Sequence, residues 1–280
     1  MTLKLFFLGL VHPSLLNTGM LVLSYINLFS KGSLLLDCGE GTLGQLKRRY
    51  GIDGANDTVS VRNLKSVWIS HIHADHHTGL PRVLALRPDL LTGVPHEPLL
   101  VIGPHQLKRF VDAYQRLEDL DMQFLDCRST TEASWNAFDH EFESNKDQSA
   151  SGSALSLDIN NKRLQDNNGS FFTRGSQMQS FWRRPGSPIG NSAAYPILER
   201  LKKRLLDSGL EALISFPVVH CPQAYGIALK AAERVNSIGK VIPDWKIAYS
   251  GDTRPFPELR DACHGATVLI YEATFEDGLV

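Results

Sequence analysis

Short apolar runs recur along the chain, and within three residues each is followed by a side chain able to bind a metal or move a proton. The runs are 34–36, 67–69, 213–219, 246–249 and 268–271. The side chains that follow them are, in the same order, Asp37, His71, His220, Asp252 and Glu272. Apolar runs of this length, bounded by polar residues, predict buried strands. We therefore expect a site built on a sheet, with its functional groups on loops at one edge.

Helical patterns and further strands alternate with these runs. Helices are predicted over 43–50, 80–91, 106–120 and 198–210. Additional strands are predicted over 3–9, 20–29, 99–104 and 122–125. Strands interleaved with helices indicate an α/β fold. Hydrophobic residues make up 42% of the 280 residues, which is enough for a sizeable core, and we expect one domain over 1–280.

One long segment departs from this pattern. Residues 129–194 are rich in Ser, Asn, Gly and Asp and show no sustained period of 2 or 3.6 residues. Such a composition buries too little apolar surface to offset the entropy of ordering the chain. The sequence therefore predicts a long, largely disordered surface insertion within the domain.

Charge, cysteine content and the apolar stretches limit what can be inferred about function. Lys and Arg number 29 against 30 Asp and Glu, so bulk charge gives no argument for nucleic-acid binding. The four cysteines are scattered without a CxxC pair, which suits reduced thiols in an intracellular protein. The apolar stretch at 20–29 is too short and too polar to cross a membrane, and we expect no membrane association.

The densest chemistry lies in the segment 70–80, SHIHADHHTGL, between a strand and a helix. His71 and His73 alternate in an extended segment, so their side chains project to the same side. Asp75 and His76 follow a turn of the chain and can point to a second position nearby. Four ligand-type groups in six residues are what a two-metal site needs from one loop. The alternative is a polar loop that happens to be rich in histidine.

The candidate ligands divide into two groups. The full set is His71, His73 and His220 for a first ion, Asp75 and His76 for a second, and Asp252 as the bridge between them. Nitrogen and carboxylate ligands suit Zn²⁺, with Mn²⁺ as a competitor. Two such ions about 3.5–4 Å apart can generate hydroxide near neutral pH and stabilise displacement at phosphorus.

Two residues next to the ligands have more than one interpretation. Asp37 can accept the proton of a metal-bound imidazole, which fixes the tautomer of the ring. Alternatively it is the N-cap acid of the following helix, and its position before the His cluster favours the first role. Cys221 is a ligand by type, but beside His220 we interpret it as a buried structural thiol.

These motifs resemble those of a known superfamily. HIHADH, together with LLLDCGEGT, VVHCP and SGDT, resembles the metallo-β-lactamase superfamily. The longer stretches ISHIHADHHTGL, FPVVHCPQAYG, YSGDTRP and EATFEDG resemble tRNase Z, the tRNA 3′-processing endoribonuclease. The resemblance is to the carboxyl half of the long, plant-like eukaryotic form and runs over most of 32–128 and 195–280.

The resemblance implies an αββα sandwich and a zinc-dependent enzyme. It implies hydrolysis of precursor tRNA after the discriminator base, leaving a 3′-hydroxyl on the tRNA. Asp75 would orient or deprotonate the attacking water, and Glu272 would help to protonate the leaving oxygen. Family members act in the nucleus, the mitochondrion or the plastid.

Three departures from the family pattern qualify this expectation. The stretch FLGLVHPSLLNTGML replaces most of a substrate-handling loop. Tyr271 stands where the family has a histidine beside Glu272, and a phenol is a much weaker acid than an imidazolium at neutral pH. The sequence ends at Val280, before the family's last histidine ligand. We expect from this a C-terminally truncated member whose second zinc site lacks one ligand.

Alternatives to the endoribonuclease follow from these departures. One is an impaired or inactive family member that binds only metal or a partner. Another is a metallo-β-lactamase-type hydrolase of small esters, which the YSGDT and EATFEDG stretches disfavour. A homodimer or a partner chain that completes the site is also compatible with the missing ligand.

Overall fold

A computed structural model describes residues 4–8, 23–27, 32–50, 61–118, 120–150, 194–235 and 238–271. Its first sheet is mixed, and the six strands lie side by side in the order in which they occur along the chain. The strands are β1 Lys4–Leu8, β2 Leu23–Asn27, β3 Ser33–Leu36, β4 Leu64–Trp68, β5 Leu99–Gly103 and β6 Met122–Asp126. The first three strands pair antiparallel, and the pairs from β3 to β6 are parallel.

A second mixed sheet consists of β7 Ala212–Pro217, β8 Tyr225–Ala231, β11 Trp245–Tyr249 and β12 Val268–Ile270. Their order across the sheet is β12-β11-β8-β7. A short hairpin of β9 Arg234–Val235 and β10 Val241–Ile242 follows β8. The helices are α1 Thr42–Tyr50, α2 Ala74–His77, α3 Leu80–Leu91, α4 His105–Gln115, α5 Glu132–Ala150, α6 Tyr195–Asp207 and α7 Pro257–Cys263.

Both faces of the first sheet are buried at the central strands β3, β4 and β5, which explains the continuous apolar runs there. On one face, Leu36 and Trp68 pack into a core shared with Ile227 and Tyr249 of the second sheet. On the other face, strand residues pack against α1, α3 and α4 through side chains such as Leu84. The described structure therefore confirms two mixed sheets with helices packed against them.

Strand register determines where the functional loops emerge. Leu36 pairs with Trp68, and Trp68 pairs with Ile102, so the parallel strands β3, β4 and β5 end at the same level. In the second sheet, Tyr249 at the end of β11 pairs with Ile270 of β12. The Tyr225 amide donates to the Ser70 carbonyl at 3.0 Å and joins the two sheets at this edge.

The predicted start of the insertion at residue 129 is wrong. Residues 127–130 form a 3₁₀ turn, and α5 then continues to Ala150. The Trp135 indole donates to the Leu213 carbonyl at 2.8 Å, and Phe138 is buried in the core between the sheets. These two aromatic anchors hold a helix whose other residues are mostly polar. Residues 151–193 lie outside the described residues.

Other predicted bounds need smaller corrections. The helix predicted over 106–120 ends at Gln115, and the one predicted from residue 198 begins at Tyr195. The β9–β10 hairpin and α7 were not predicted. Within the described ranges, no helix has the length and apolar character needed to cross a membrane.

Candidate metal centre

The His-rich loop is held against the end of β3 by backbone hydrogen bonds. The Cys38 amide donates to the His76 carbonyl at 2.7 Å, and the Gly79 amide donates to the Cys38 carbonyl at 2.8 Å. A Cβ at Gly79 would lie 2.0 Å from the Gly39 carbonyl oxygen, so the close approach requires glycine there. The two glycine-containing motifs of the sequence are therefore packed backbone to backbone.

Four ligand-type side chains meet in a first group. They are His71, His73, His220 and Cys221, whose ligand atoms all lie within 4.8 Å of one another. His73 Nδ1 and His220 Nε2 are 3.0 Å apart. The ring of His71 lies 4.6 Å from that of His73 and 4.7 Å from that of His220. The three histidines predicted for the first ion are thus brought together by the structure.

A second group shares one histidine with the first. It consists of His71, His76 and Asp252. The Asp252 carboxylate lies 3.3 Å from His76 Nε2 and 3.8 Å from both His71 Nε2 and His220 Nε2. This position between the two groups is the one that a bridging carboxylate needs.

Asp75 lies at the rim of the second group. Its Oδ2 is 3.6 Å from His76 Nε2, and its side chain is 45% exposed. It does not join the cluster of mutually close ligand atoms. Glu272, the other predicted catalytic residue, lies outside the described residues, and Tyr271 before it is exposed.

Asp37 is a buried acceptor for donors from three parts of the chain. His76 Nδ1 lies 3.0 Å from Asp37 Oδ2, as the predicted support of a metal-binding imidazole requires. The Ser70 amide donates to Oδ1 at 2.7 Å, and the Ser70 hydroxyl donates to Oδ2 at 2.9 Å. The Tyr249 hydroxyl donates to the same Oδ2. Asp37 holds this position with a φ of 58°, in the left-handed region.

These contacts assign the tautomers of two histidines. Because the Ser70 hydroxyl donates its proton to Asp37, it accepts a hydrogen bond from His71 Nδ1 at 2.9 Å. His76 likewise donates Nδ1–H to Asp37. Both rings then face the site with Nε2, which is the arrangement that a metal ligand needs. His71 and His76 are therefore oriented by one carboxylate.

The two rings differ strongly in proton affinity. Burial lowers the pKa of His71 to about 3, assisted by the neighbouring His76. Burial also acts to lower the pKa of His76, but the charges of Asp37 and Asp252 outweigh it and raise that pKa to about 11. Without an ion, His76 is therefore protonated at neutral pH and His71 is not.

The predicted burial of the Cys221 thiol is wrong. The side chain is half-buried, and its sulfur belongs to the first group of ligand atoms. Burial raises the pKa of this thiol. Ser70 and Tyr249 were also missed, although Ser70 directly precedes His71 in the motif and Tyr249 ends a predicted strand.

The donor set fits a divalent cation. His71 Nε2 is buried and has no hydrogen-bond partner among the residues that the structure describes. It faces three further nitrogen or sulfur donors in the first group and two further nitrogen or carboxylate donors in the second. Imidazole, thiolate and carboxylate donors are those that bind Zn²⁺ in proteins. The residues thus offer two adjacent groups that could each hold a metal ion.

No protein-family model matches the chain. Individual proteins do match it. The chain is 61% identical over 257 residues to tRNAse Z TRZ4, mitochondrial, and 59% identical over 256 residues to tRNase Z TRZ3, mitochondrial, both from Arabidopsis thaliana. Each match covers 91% of this chain and 26% of the relative. Human zinc phosphodiesterase ELAC protein 2 is 35% identical over 257 residues, covering 91% of this chain and 23% of that protein.

The chain therefore spans about a quarter of the length of the relatives that it matches. Among solved structures, the long-form RNase Z from yeast superposes with a TM-score of 0.59 at 21% identity, over 92% of this chain and 30% of that one. At this identity the likeness concerns the fold. The predicted α/β sandwich of two sheets is confirmed as the fold class of the chain.

Proposed function

From the homology of this chain to a segment of the tRNase Z proteins, we propose that the protein is a metal-dependent endoribonuclease that removes the 3′ trailer of precursor tRNA. The cleaved bond is the phosphodiester after the discriminator base. The observation that carries the proposal is the convergence of His71, His73, His220 and Asp252 at the sheet edge, in a sequence 61% identical to a tRNase Z.

The ligand positions would be divided between two zinc ions. His71, His73 and His220 would hold the first ion, and Asp75 and His76 the second, with Asp252 shared. Bound zinc lowers the pKa of a coordinated water and neutralises charge on the phosphate oxygens. The second position is weaker, because Asp75 lies at the rim and because His76 must lose a proton that Asp37 stabilises. Mn²⁺ is the alternative ion.

Side chains of the protein would assist the remaining steps of the reaction. Asp75 is exposed beside His76 and would orient the attacking water and take up its proton. The water oxygen forms a bond to phosphorus, and the bond from phosphorus to the 3′-oxygen breaks. Glu272 would take part in delivering a proton to that leaving oxygen. The tRNA then ends in a 3′-hydroxyl, and the phosphate stays on the trailer.

One observation favours a second candidate, an impaired member of the same family. The resemblance implies a histidine at the position of Tyr271, which here is an exposed phenol. Such a group donates a proton less readily at neutral pH than an imidazolium does. In this case the metal centre assembles, but cleavage is slow.

We infer the cellular location of the protein from the same relatives. The two Arabidopsis relatives carry the word mitochondrial in their names. We favour the mitochondrion over the nucleus and the plastid. Imaging of the full-length protein fused to a fluorescent protein tests this, and an exclusively nuclear or plastid signal contradicts it.

Cleavage of a 3′-extended precursor tRNA by the purified full-length protein tests the activity. With Zn²⁺ or Mn²⁺ we expect a product that ends at the discriminator base. His73→Ala should abolish it, whereas His264→Ala, a control at an exposed histidine outside the cluster, should not. No cleavage with either metal contradicts the endoribonuclease, and cleavage of a small ester alone supports a different hydrolase.

A further inference from the structure

The hydroxyl of Thr253 joins two loops of the candidate metal centre. Thr253 directly follows Asp252, and it contacts Val219, the residue directly before His220. We propose that Thr253 is a positioning residue, whose hydroxyl fixes the carboxylate of Asp252 relative to the imidazole of His220. The inference rests on the metal centre proposed above and adds a residue that does not itself bind the ions.

The strands of the second sheet do not join these loops directly. His220 follows β7 and Asp252 follows β11, and β8 lies between these two strands in the sheet. The ladder hydrogen bonds of β7 and of β11 on this side run to β8. Strands that are not neighbours share no ladder hydrogen bonds. The loops after β7 and β11 therefore need contacts of their own to keep a fixed separation.

Those contacts converge on the backbone of Val219. The Val219 amide donates to Thr253 Oγ1 at 3.1 Å, and the Val219 carbonyl accepts the Arg254 amide at 2.9 Å. The Thr253 hydroxyl has one proton, and its nearer acceptor is the Arg254 carbonyl at 3.0 Å, with the Val219 carbonyl at 3.4 Å. Both backbone polar groups of Val219 are thus bound by the two residues that follow Asp252.

The chain on the other side of Asp252 is fixed by close packing. Gly251 has a φ of 58°, in the left-handed region that favours glycine. A Cβ at Gly251 would lie 3.0 Å from Ser70 Cβ and 3.1 Å from the Tyr225 carbonyl oxygen. Asp252 therefore lies between a backbone contact before it and the Thr253 hydroxyl after it.

The position that results suits a carboxylate shared by two ions. Asp252 Oδ2 lies 3.8 Å from both His220 Nε2 and His71 Nε2. Two ligand atoms on one tetrahedral zinc ion lie roughly 3.3–3.5 Å apart, given bonds near 2.0–2.1 Å. Because Asp252 is shared, a relative displacement of the two loops changes the geometry around both proposed ions.

Three substitutions isolate the hydroxyl. Thr253→Val keeps the shape of the side chain and removes the hydroxyl, whereas Thr253→Ser keeps the hydroxyl. Thr267 provides the matched control, because its hydroxyl accepts the Lys246 amide at 3.2 Å. Lys246 lies near the start of β11, at the opposite end from Asp252. Thr267→Val therefore removes a hydrogen bond of the same kind outside the ligand cluster.

Zinc and cobalt titrations of the purified full-length protein measure the effect. The Kd for Zn²⁺ should rise about 10- to 100-fold in Thr253→Val, the usual cost of losing a group that orients a metal ligand. Thr253→Ser should recover most of this loss, and Thr267→Val should bind zinc as the wild type does. The visible ligand-field spectrum of bound Co²⁺ should change shape in Thr253→Val alone.

Cleavage kinetics give a second measurement. With precursor tRNA and saturating Zn²⁺, kcat should fall in Thr253→Val while KM changes little, because the hydroxyl orients metal ligands and does not contact RNA. Thr253→Ser should restore kcat. Circular dichroism verifies that each variant is folded. If Thr253→Val does not fold, Thr253→Ala takes its place, with the same losses expected.

The outcomes separate this inference from the proposed function. Wild-type protein that binds neither Zn²⁺ nor Co²⁺ overturns the metal centre and the inference with it. Normal zinc affinity and an unchanged Co²⁺ spectrum in folded Thr253→Val overturn the inference alone and leave the metal centre intact. Equal losses in Thr253→Val and Thr267→Val, or no recovery in Thr253→Ser, also overturn it, because the effect is then not specific to this hydroxyl.

Discussion

The Tyr249 hydroxyl donates a hydrogen bond to Asp37 Oδ2 at 2.5 Å, linking the end of β11 in one sheet to the end of β3 in the other. Both residues are buried. The same oxygen also receives the Ser70 hydroxyl and lies 3.0 Å from His76 Nδ1. One carboxylate oxygen therefore couples the packing of the two sheets to the orientation of the candidate ligands His71 and His76.

Replacing Tyr249 by Phe removes one donor from this buried carboxylate. We expect a loss of about 1–3 kcal/mol in the free energy of unfolding. We also expect zinc affinity to fall by about 10- to 100-fold, as when an outer-shell partner of a metal ligand is lost. Urea unfolding and zinc titration measure the two effects. Tyr225→Phe removes a hydroxyl from the same core that does not bond Asp37, and it should change zinc affinity little.

The metal-free protein should be most stable near pH 6.5, the ordinary pKa of histidine. The pKa of His76 is raised to about 11, so the stability that this proton contributes is present below pH 6.5 and lost as the pH rises toward 11. The pKa of His71 is lowered to about 3, so stability is lost as the pH falls from 6.5 toward 3.

Urea unfolding of chelator-treated protein across this pH range measures the profile. In Asp37→Asn the alkaline loss should shrink, because the carboxylate no longer holds the proton on His76. A metal-free profile that rises steadily through neutral pH into the alkaline range contradicts the raised pKa of His76.

A methyl group at Gly79 should disrupt the packing between the two glycine-containing loops. Its Cβ would meet the Gly39 carbonyl at 2.0 Å, and backbone cannot yield as a flexible side chain does. We expect Gly79→Ala to cost about 1–3 kcal/mol or more of folding free energy and to weaken zinc binding.

Gly44→Ala is the matched control for this substitution. Gly44 lies within α1, and a Cβ there meets nothing within 4 Å in the described structure. This variant should gain about 0.5–1 kcal/mol. Equal stability of the two variants in thermal unfolding contradicts the proposed contact.

Restoring a histidine at residue 271 tests the impaired candidate. If leaving-group protonation limits cleavage, Tyr271→His should raise kcat about 10²-fold or more, with little change in zinc affinity. Single-turnover cleavage of precursor tRNA measures this rate. Tyr271→Phe is the control, and a rate unchanged in both variants shows that residue 271 does not act on the leaving oxygen.

Much of the site was predictable because its ligands are close in sequence or directly follow apolar strands. His71 and His73 alternate in an extended segment, and the structure places both in one cluster. The strand ends were predictable because strands buried on both faces are continuously apolar. Asp37 likewise followed from its place at a strand end.

The supporting contacts were not predictable in the same way. Tyr249 and Asp37 are 212 residues apart in sequence. A tyrosine within an apolar strand would be interpreted as an ordinary core residue. Cys221 depends on the turn after His220, which a strand pattern does not specify. Helix α5 is mostly polar in sequence, and within its described side chains Trp135 and Phe138 pack against the core, so composition alone favoured a loop.

Anomalous diffraction at the zinc edge, on crystals of the purified protein grown with Zn²⁺, tests the metal centre most directly. The account predicts a strong peak among His71, His73 and His220. It predicts a weaker peak between His76 and Asp252, near Asp75. The absence of any peak within this cluster, or a strongest peak elsewhere on the chain, would contradict it.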